Sequence, residues 1–367
     1  MPHRTPALPA ALDRRSLLRA GAACLGLATA AQLLGCGIAF AADEEQPADE
    51  IPVRVVALKG PTAMGLVELM DQVDSGALDA PYSFEIVASP DEVAPLVAKA
   101  DVDVAFVPAN LASVLYNNTD GAVRAIAINT LGVLYLCTTG EAVENIADLA
   151  GTTIYASGKG ATPEYALDYI LRANGLDPEG DVTIEWKSEH AECVAALAQD
   201  ANAWALLPQP FVTTAQAKNP DIAVVFDLTQ EWDKLQEDLP EEERSSLITG
   251  VTIARTAFIE EHAGAVDLFI ERCKESADWV NANVEEAAQL VGTYDIVPAE
   301  VAQKAIPACS IVCVSGEQMQ RDLAGYLGVL FEQNPKAVGG KLPGDEFYYV
   351  GPSATDAEDS AAQKPAE

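Results

Sequence analysis

Positive charge is scarce in this sequence. Its 367 residues include 22 lysines and arginines against 56 aspartates and glutamates, which gives a formal net charge of −34 at pH 7. Nucleic acids and anionic lipid surfaces attract proteins through basic side chains, so this balance argues against nonspecific binding to either. The composition therefore predicts a highly soluble protein with no nucleic-acid partner.

Cysteine is too sparse and too scattered for a disulfide framework. Two of the seven cysteines, Cys24 and Cys36, lie in the N-terminal leader, which leaves an odd number. The others are Cys137, Cys193, Cys273, Cys309 and Cys313. Because the last two have no second pair to complete a zinc site, we interpret these cysteines as small buried residues. We predict no metal site and no cofactor.

The chain has a single long apolar stretch, and it lies near the N-terminus. Arg14 and Arg15 precede an Ala/Gly/Leu run from Ala20 to Gly35, which is typical of a twin-arginine export signal over residues 1–41. No later apolar run approaches the length of about 20 residues needed to cross a membrane. We therefore expect the mature protein outside the cytoplasmic membrane, in the periplasm or at the cell surface.

Two processing sites compete at the end of this leader. Leu33-Leu34-Gly35-Cys36 resembles a lipobox, in which Cys36 carries a lipid, while Ala39-Phe40-Ala41 fits an A-x-A cleavage site. The sequence leaves both open. A lipid on Cys36 is the one membrane attachment that it allows.

The rest of the chain predicts an α/β fold with two lobes. A buried strand, a small or polar turn and a helix recur three times between residues 53 and 116, which indicates a parallel sheet covered by helices. The same rhythm returns after residue 136. Apolar spacing also predicts helices at 63–73, 211–218 and 258–281, and a helix that ends near Lys99 with Ser89 or Asp91 as its cap. We predict an acidic tether at 42–52, a first lobe from 53–135 and 227–350, a second lobe from 136–226, and a disordered tail at 351–367.

The second of these lobes opens with a glycine-rich turn. Thr152–Ala156 reads as a strand, Ser157 begins the turn, and Pro163 opens a helix with Thr162 as its N-cap. Unpaired N–H groups in such a turn suit an anion or a polar head group, and Lys159 adds positive charge. The spacing does not match a nucleotide-binding P-loop.

Other candidates follow from topology, because ligands of open α/β sheets bind beyond the carboxyl ends of the strands. In the first lobe these positions are Gly60, Pro61, Thr62, Asn110, Thr130 and Gly132. In the second lobe, Glu189 and His190 follow a strand, where His190 has the chemistry to hydrogen-bond a ligand. No serine or cysteine nucleophile in a strained turn completes a catalytic triad with this pair.

Five motifs in order resemble one family, the solute-binding proteins of ABC importers. They are LKGPT at 58–62, DVAFVPAN at 103–110, DLAGTTIY at 148–155, GKGATPEY at 158–165 and LLPQPF at 206–211. The closest resemblance is to the group of nitrate, taurine, alkanesulfonate and thiamine-precursor receptors.

This resemblance implies a type II periplasmic-binding-protein fold, in which two lobes joined by two hinge crossings close on a small molecule. It implies a monomer whose partners are an ABC permease and its ATPase. It also implies ligand contacts from Thr62, Asn110, Thr130, Ser157, Lys159, Gly160, Ala161, Thr162 and Gln209.

The ligand class and two alternative functions stay open at this stage. The glycine turns and Lys159 suit an anionic or polar head, whereas Tyr155 and Tyr165 offer stacking surfaces for a flat ring. The same fold serves pyrimidine-forming enzymes of thiamine biosynthesis, but their cysteine-rich segment has no counterpart here. An extracytoplasmic sensor is the other alternative. We predict a binding protein that is not an enzyme.

Overall fold

The structure is a computed structural model that describes residues 46–200, 202–240 and 244–351. The predicted export signal, both processing sites and all but the first residue of the predicted tail lie outside the described residues. Within them, no helix is both long enough and apolar enough to cross a membrane.

The described strands form two sheets. They are β1 (Val53–Leu58), β2 (Tyr82–Val87), β3 (Val104–Pro108), β4 (Val123–Leu131), β5 (Leu134–Thr138), β6 (Thr153–Ser157), β7 (Thr183–Lys187), β8 (Trp204–Pro208), β9 (Ala223–Asp227), β10 (Ile248–Arg255) and β11 (Ile311–Val314).

The α-helices alternate with these strands along most of the chain. They are α1 (Pro61–Met64), α2 (Val67–Asp74), α3 (Pro90–Ala98), α4 (Ala109–Asn118), α5 (Thr162–Ala173), α6 (His190–Leu197), α7 (Phe211–Lys218), α8 (Leu228–Gln236), α9 (Thr256–Glu261), α10 (Ala263–Ala282), α11 (Val284–Thr293), α12 (Ala299–Ala305) and α13 (Gly316–Gln333).

The first sheet has the strand order β11-β4-β10-β3-β1-β2. β1 runs parallel to β2 and β3, and antiparallel pairing through β10 leaves β4 in the same direction as β3. Five of the six residues of β1 are buried, as expected for a strand covered by helices on both faces. The carboxyl ends of β1, β3 and β4 therefore share one edge.

The second sheet has the order β7-β6-β8-β5-β9. β6 is parallel to β7 and β8, while β5 pairs antiparallel with both β8 and β9. Four of the five strands thus run in one direction, and β6, β8 and β9 end at a common edge. Both sheets agree with the predicted mostly parallel organisation.

Two segments connect the sheets, and they contact each other. The first crossing is Gly132-Val133, between β4 and β5, and the second runs from β9 through α8 to β10. A Cβ atom at position 132 would lie only 2.0 Å from Thr229 Oγ1 and 2.9 Å from Leu247 Cδ2. Since both atoms belong to the second crossing, only glycine allows this approach.

Apolar packing continues from one sheet to the other. A single cluster of buried side chains includes Ile128 beside the first sheet and Leu134 and Trp204 in the second. α13 packs against both β4 and α5, and its buried Tyr326 donates a hydrogen bond from Oη to Thr162 Oγ1 at 3.2 Å. The two halves therefore share a core on the side of α13.

The amphipathic helix predicted at 258–281 packs against β11 of the first sheet and against α2. Phe269, Cys273, Ala277 and Val280 are buried along α10, at the spacing of three and four residues that places them on one side. The structure divides the predicted helix at His262, so that α9 and α10 are separate.

The undivided helix at 258–281 is the first of three local predictions that were wrong. The second is the helix expected at 63–73, which breaks at Gly65 because Ser276 Oγ donates to Gly65 O at 2.7 Å and accepts from Leu69 N at 3.2 Å. β11 begins at Ile311, after α12 and a short 3-10 turn.

The third error concerns the cap of α5. The N-cap residue is Ala161, and no side chain caps the helix, because the Thr162 hydroxyl is engaged by Tyr326 instead. At the N-terminal end, residues 48–50 of the predicted tether form a 3-10 turn, and Ile51 is buried against the first sheet.

Candidate functional site

The carboxyl edges of the two sheets meet at the first crossing. β4 ends at Leu131, and β5 begins three residues later at Leu134, which pairs with Pro208 at the end of β8. The backbone N–H of Gln209 then donates to Val133 O at 2.9 Å. Residues that follow strands in both sheets are thus brought to one junction, which is where ligands of α/β sheets bind.

On the first sheet, four residues form a compact group that we call the first-sheet cluster: Thr62, Asn129, Thr130 and Gly250. Thr130 Oγ1 donates to Asn129 Oδ1 at 2.9 Å, and Gly250 pairs with Thr130. A Cβ atom on Gly250 would lie 2.4 Å from Asn129 Oδ1 and 2.7 Å from Thr62 Cγ2. The absence of a side chain at Gly250 therefore lets the three polar residues converge.

On the second sheet, Ser157, His190, Gln209 and Phe211 form the second-sheet cluster. Ser157 is buried, and its Oγ lies 2.5 Å from His190 Nδ1. Burial lowers the pKa of His190, so its ring is neutral at pH 7. The rings of His190 and Phe211 lie 4.7 Å apart between centroids, and Phe211 is 40% exposed.

Gln209 is held in one orientation within this cluster. Its Oε1 accepts hydrogen bonds from the N–H and the hydroxyl of Thr213, at 3.3 and 2.9 Å. Because one end of a glutamine amide accepts and the other donates, Nε2 is the end presented away from α7. Gln209 is only 7% exposed, so this donor is fixed by packing.

Two hydroxyl groups that the sequence analysis did not identify lie in α8 of the second crossing and in β10 of the first sheet. Among the described residues, Thr229 Oγ1 and Thr249 Oγ1 are buried without a hydrogen-bond partner. Thr229 faces Gly132 of the first crossing, and Thr249 precedes Gly250 of the first-sheet cluster. Buried hydroxyls without partners are rare in folded proteins, so both are candidates to bind a ligand or an ordered water.

The second glycine turn has a different environment from the one predicted. The N–H of Gly160 already donates to Glu164 Oε2 at 2.5 Å. Lys159 lines a groove of about 430 Å³ with Glu164, Asp168 and Glu179, along the edge strand β7. Burial, together with the neighbouring carboxylates, raises the pKa of Asp168 to about 6. The structure therefore places Lys159 in an acidic outer groove and not with Ser157 and His190.

The remaining predicted residues lie at strand ends but in varied surroundings. Gly60 is buried and Pro61 opens α1, whereas Asn110 is half-buried in the first turn of α4. Ala161 and Thr162 begin α5, and Thr162 is buried against Tyr326. Glu189 is exposed just before α6.

The two tyrosines expected to stack on a ring are occupied within the fold. Lys187 Nζ lies over the Tyr155 ring at 4.9 Å, and Tyr165 is buried, with its Oη accepting from Asn334 at 3.4 Å. Phe211 is the exposed aromatic residue of the second-sheet cluster. A sequence signal for it did exist, because Phe211 directly follows the Pro-Gln-Pro turn at the end of β8.

Within the described residues, no group of three or more histidine, cysteine, aspartate or glutamate side chains is arranged to hold a metal ion. The five described cysteines are all free thiols, and four of them are buried. Burial raises the pKa of Cys193 to about 11 and that of Cys137 to about 12, so these thiols are protonated at neutral pH.

The fold described above is similar to the folds of several solved structures. No protein-family model and no curated protein matches the sequence. An ABC transporter structure from Parabacteroides distasonis is similar over 81% of this chain and 98% of its own, with a TM-score of 0.67 and 21% identity. The periplasmic aliphatic sulphonate binding protein SsuA from Escherichia coli matches over 82% and 92%, with a TM-score of 0.64 and 15% identity.

A third structure, the alkanesulfonate-binding protein SsuA from Xanthomonas axonopodis pv. citri, bound to MOPS, matches over 82% of this chain and 97% of its own. Its TM-score is 0.57 at 12% identity. The chain has the two-lobed periplasmic-binding-protein fold. The first sheet belongs to one lobe and the second sheet to the other, and the two crossings connect them. The predicted fold class is confirmed.

Proposed function

We propose that this protein is an extracytoplasmic solute-binding receptor that captures a small polar metabolite between its lobes and delivers it to an ABC permease driven by an ATPase. The observation that carries the proposal is the junction at Gln209, whose N–H bonds to Val133 O at 2.9 Å. This contact brings polar strand ends from both lobes to the hinge, where one small molecule can touch both.

The binding residues in this proposal come from both lobes and from the hinge. They are Thr62, Asn110, Asn129, Thr130 and Thr249 in the first lobe, Ser157, His190 and Gln209 in the second, and Thr229 in the second crossing. Because a ligand that touches both lobes binds the closed form more tightly, it shifts the open–closed equilibrium toward closure. The closed form is then the one that the permease recognises.

The names of the structural neighbours support this proposal at a general level. Two of them are described as sulfonate-binding proteins, one of them bound to MOPS. We extend from this that the chain belongs to the group of nitrate, taurine, alkanesulfonate and thiamine-precursor receptors. We further propose a monomer with lobes at 53–135 plus 227–350 and 136–226, which is exported by its twin-arginine leader and then either lipidated at Cys36 or cleaved after Ala41.

Ligand-induced stabilisation of the exported protein tests the proposal. Alkanesulfonates, carboxylates, pyrimidines and amides are screened for an increase in melting temperature. A ligand at a hundredfold excess over its Kd adds about 2.7 kcal/mol to the free energy of unfolding. One chemical class should raise the melting temperature and the others should not. A screen in which no compound raises it would count against a receptor.

A pair of variants locates the binding site. Gln209→Ala removes a fixed donor at the junction and should abolish most of the ligand-induced increase, measured from the melting temperature of the unliganded variant. Lys274→Ala is the control, because Lys274 lies on the outer face of α10 in an exposed ion pair with Asp278 at 2.7 Å. Equal ligand-induced shifts in the two variants would place binding elsewhere.

A further inference from the structure

We infer that the cleft selects an uncharged ligand with a flat apolar face, and not a sulfonate, carboxylate or other anion. This inference rests on the proposed receptor function and concerns the chemical class of its ligand. Four features near the strand ends support it. The lysines are paired with carboxylates, the charge that remains is negative, two hydroxyl groups have no hydrogen-bond partner, and one aromatic ring is exposed.

The cations near the strand ends already have acidic neighbours. Lys59, at the end of β1, pairs with Asp295 at 3.0 Å, and Lys187, at the end of β7, pairs with Glu185 at 2.8 Å. Lys159 lines the outer groove with three acidic residues. The glycine turn at 157–162 also provides little attraction for an anion, because the N–H of Gly160 already donates to the Glu164 carboxylate of α5.

The charge that remains at this edge is negative. Asp227 ends β9, and its Oδ1 accepts from the N–H of Thr229 at 2.8 Å, next to one of the unpaired hydroxyls. Partial burial lowers the pKa of His190, whose ring contacts Ser157 and Phe211, so the second-sheet cluster carries no positive charge from this ring at neutral pH. An anion entering the junction would therefore meet a carboxylate without a compensating cation from either polar cluster, which disfavours its binding.

Thr229, which faces the first crossing, and Thr249, next to Gly250 in β10, carry hydroxyls that can both donate and accept hydrogen bonds. Thr229 and Thr249 present hydroxyls without partners, and a hydroxyl has one donor and two acceptor positions. An oxyanion has acceptors alone, so it would leave the acceptor positions unused. A neutral amide, carbamoyl or ring N–H group satisfies both kinds of position.

Phe211 provides the surface for a flat face. Its ring is 40% exposed although it contacts His190, and it directly follows Pro208, Gln209 and Pro210 at the end of β8. Aromatic rings stack with offset or edge-to-face geometry and stabilise planar partners beyond the burial of area alone. A planar ligand on Phe211 would have its polar edge beside the fixed donor of Gln209.

Matched pairs of ligands that differ only in charge test this inference. Nicotinamide is compared with nicotinate, benzamide with benzoate, and benzenesulfonamide with benzenesulfonate, at pH 7.5, by melting temperature and calorimetry. We expect the neutral member of at least one pair to bind at least about tenfold more tightly than its anion.

An anion that binds more tightly than its neutral partner would overturn the inference while leaving the receptor function intact. If no member of any pair binds, the inference is overturned for these classes, and the broader ligand screen decides the receptor function separately.

Two variants sharpen the result. Phe211→Leu removes the ring from a 40% exposed position, so it should weaken the neutral ligand about tenfold with little change in the unliganded melting temperature. Leu342→Ala is its control, because Leu342 is 44% exposed and lies far along the chain from either polar cluster. Lys159→Ala should change the affinity less than about twofold. Loss of binding in Lys159→Ala, or unchanged binding in Phe211→Leu, would overturn the inference.

Discussion

The two glycine turns of this protein look alike in sequence and differ in structure. The first turn, residues 59–62, holds Gly60 in a buried position with φ 129° and ψ −156°, and brings Thr62 to the first-sheet cluster. The second turn, residues 157–162, is exposed at Gly158, Lys159 and Gly160. Its amide at Gly160 is bound by Glu164.

This comparison shows that the residues after a glycine turn determine which groups accept hydrogen bonds from its backbone N–H groups. Glu164 stands four residues beyond Gly160, within reach of the turn once the helix forms, and it occupies the position that a ligand anion would take. The corresponding position after Gly60 is the buried apolar Met64, which has no group to compete. The first turn therefore contributes Thr62 to the first-sheet cluster, whereas the second turn contributes only Ser157 to the second-sheet cluster.

The largest effect should come from crowding the cluster beside the first turn. Gly250→Ala places a methyl group 2.4 Å from Asn129 Oδ1 and 2.7 Å from Thr62 Cγ2. We expect a loss of about 3 kcal/mol in the free energy of unfolding, measured with urea. Gly328→Ala in α13 is the matched control, because nothing lies within 4 Å of its new methyl group, and it should be neutral or stabilising. Equal losses in the two variants would contradict the crowding.

The second effect compares the glycines of the two turns directly. Gly60 has a backbone conformation that is essentially restricted to glycine, whereas Gly160, at φ 80°, lies in the left-handed region that asparagine tolerates. Gly60→Asn should therefore cost about 2 kcal/mol in unfolding free energy, and Gly160→Asn less than about 1 kcal/mol. If Gly160→Asn proves the more harmful change, the comparison between the turns is wrong.

A smaller effect concerns the acidic groove beside the second turn. Burial and neighbouring carboxylates raise the pKa of Asp168 in the folded protein to about 6, above its ordinary value of 3.8, so its protonated form is favoured by folding. Its contribution to stability is complete below pH 3.8 and is lost as the pH rises through 6. Asp168→Asn should therefore gain up to about 1 kcal/mol relative to wild type at pH 8 and gain nothing at pH 3.5, after allowance for solvent screening. A variant that is less stable than wild type at pH 8 would refute this account.

The smallest effect should come from His190. Burial lowers the pKa of His190 in the folded protein, so the unfolded chain binds a proton first as the pH falls through about 6.5. Wild type therefore loses stability relative to His190→Gln between pH 7.5 and pH 5.5. A difference between their unfolding free energies that stays constant across this range would mean that the ring is not buried as a neutral group.

Local sequence patterns predicted much of the fold correctly. The helix at Phe211–Lys218 was predicted with its observed ends. Of the two caps proposed for α3, Ser89 and Asp91, the structure has Ser89, whose hydroxyl accepts from Asp91 N at 3.3 Å while its own N–H donates to Glu92 Oε1 at 2.9 Å. These features depend on residues a few positions apart, and the rules for strands, turns and caps describe them directly.

The errors arose where distant residues decide the local structure. Ser276 breaks the helix at Gly65 from more than 200 positions away, and Tyr326 takes the hydroxyl of Thr162 that was expected to cap α5. For the site, the rule that ligands bind beyond the carboxyl ends of strands pointed to residues in both sheets. It could not show that the side chain of Lys159 lies among carboxylates. The unpaired hydroxyls of Thr229 and Thr249 also depend on how the two crossings pack, which no local pattern encodes.

The contact between the crossings has a consequence for how the lobes move. Position 132 touches Thr229 and Leu247 so closely that one added methyl group would force the connecting segments apart. In the proposed receptor, the separation of these segments would define the axis about which one lobe rotates. A residue larger than glycine at position 132 should therefore change the direction of closure, and hence which faces meet around a captured molecule.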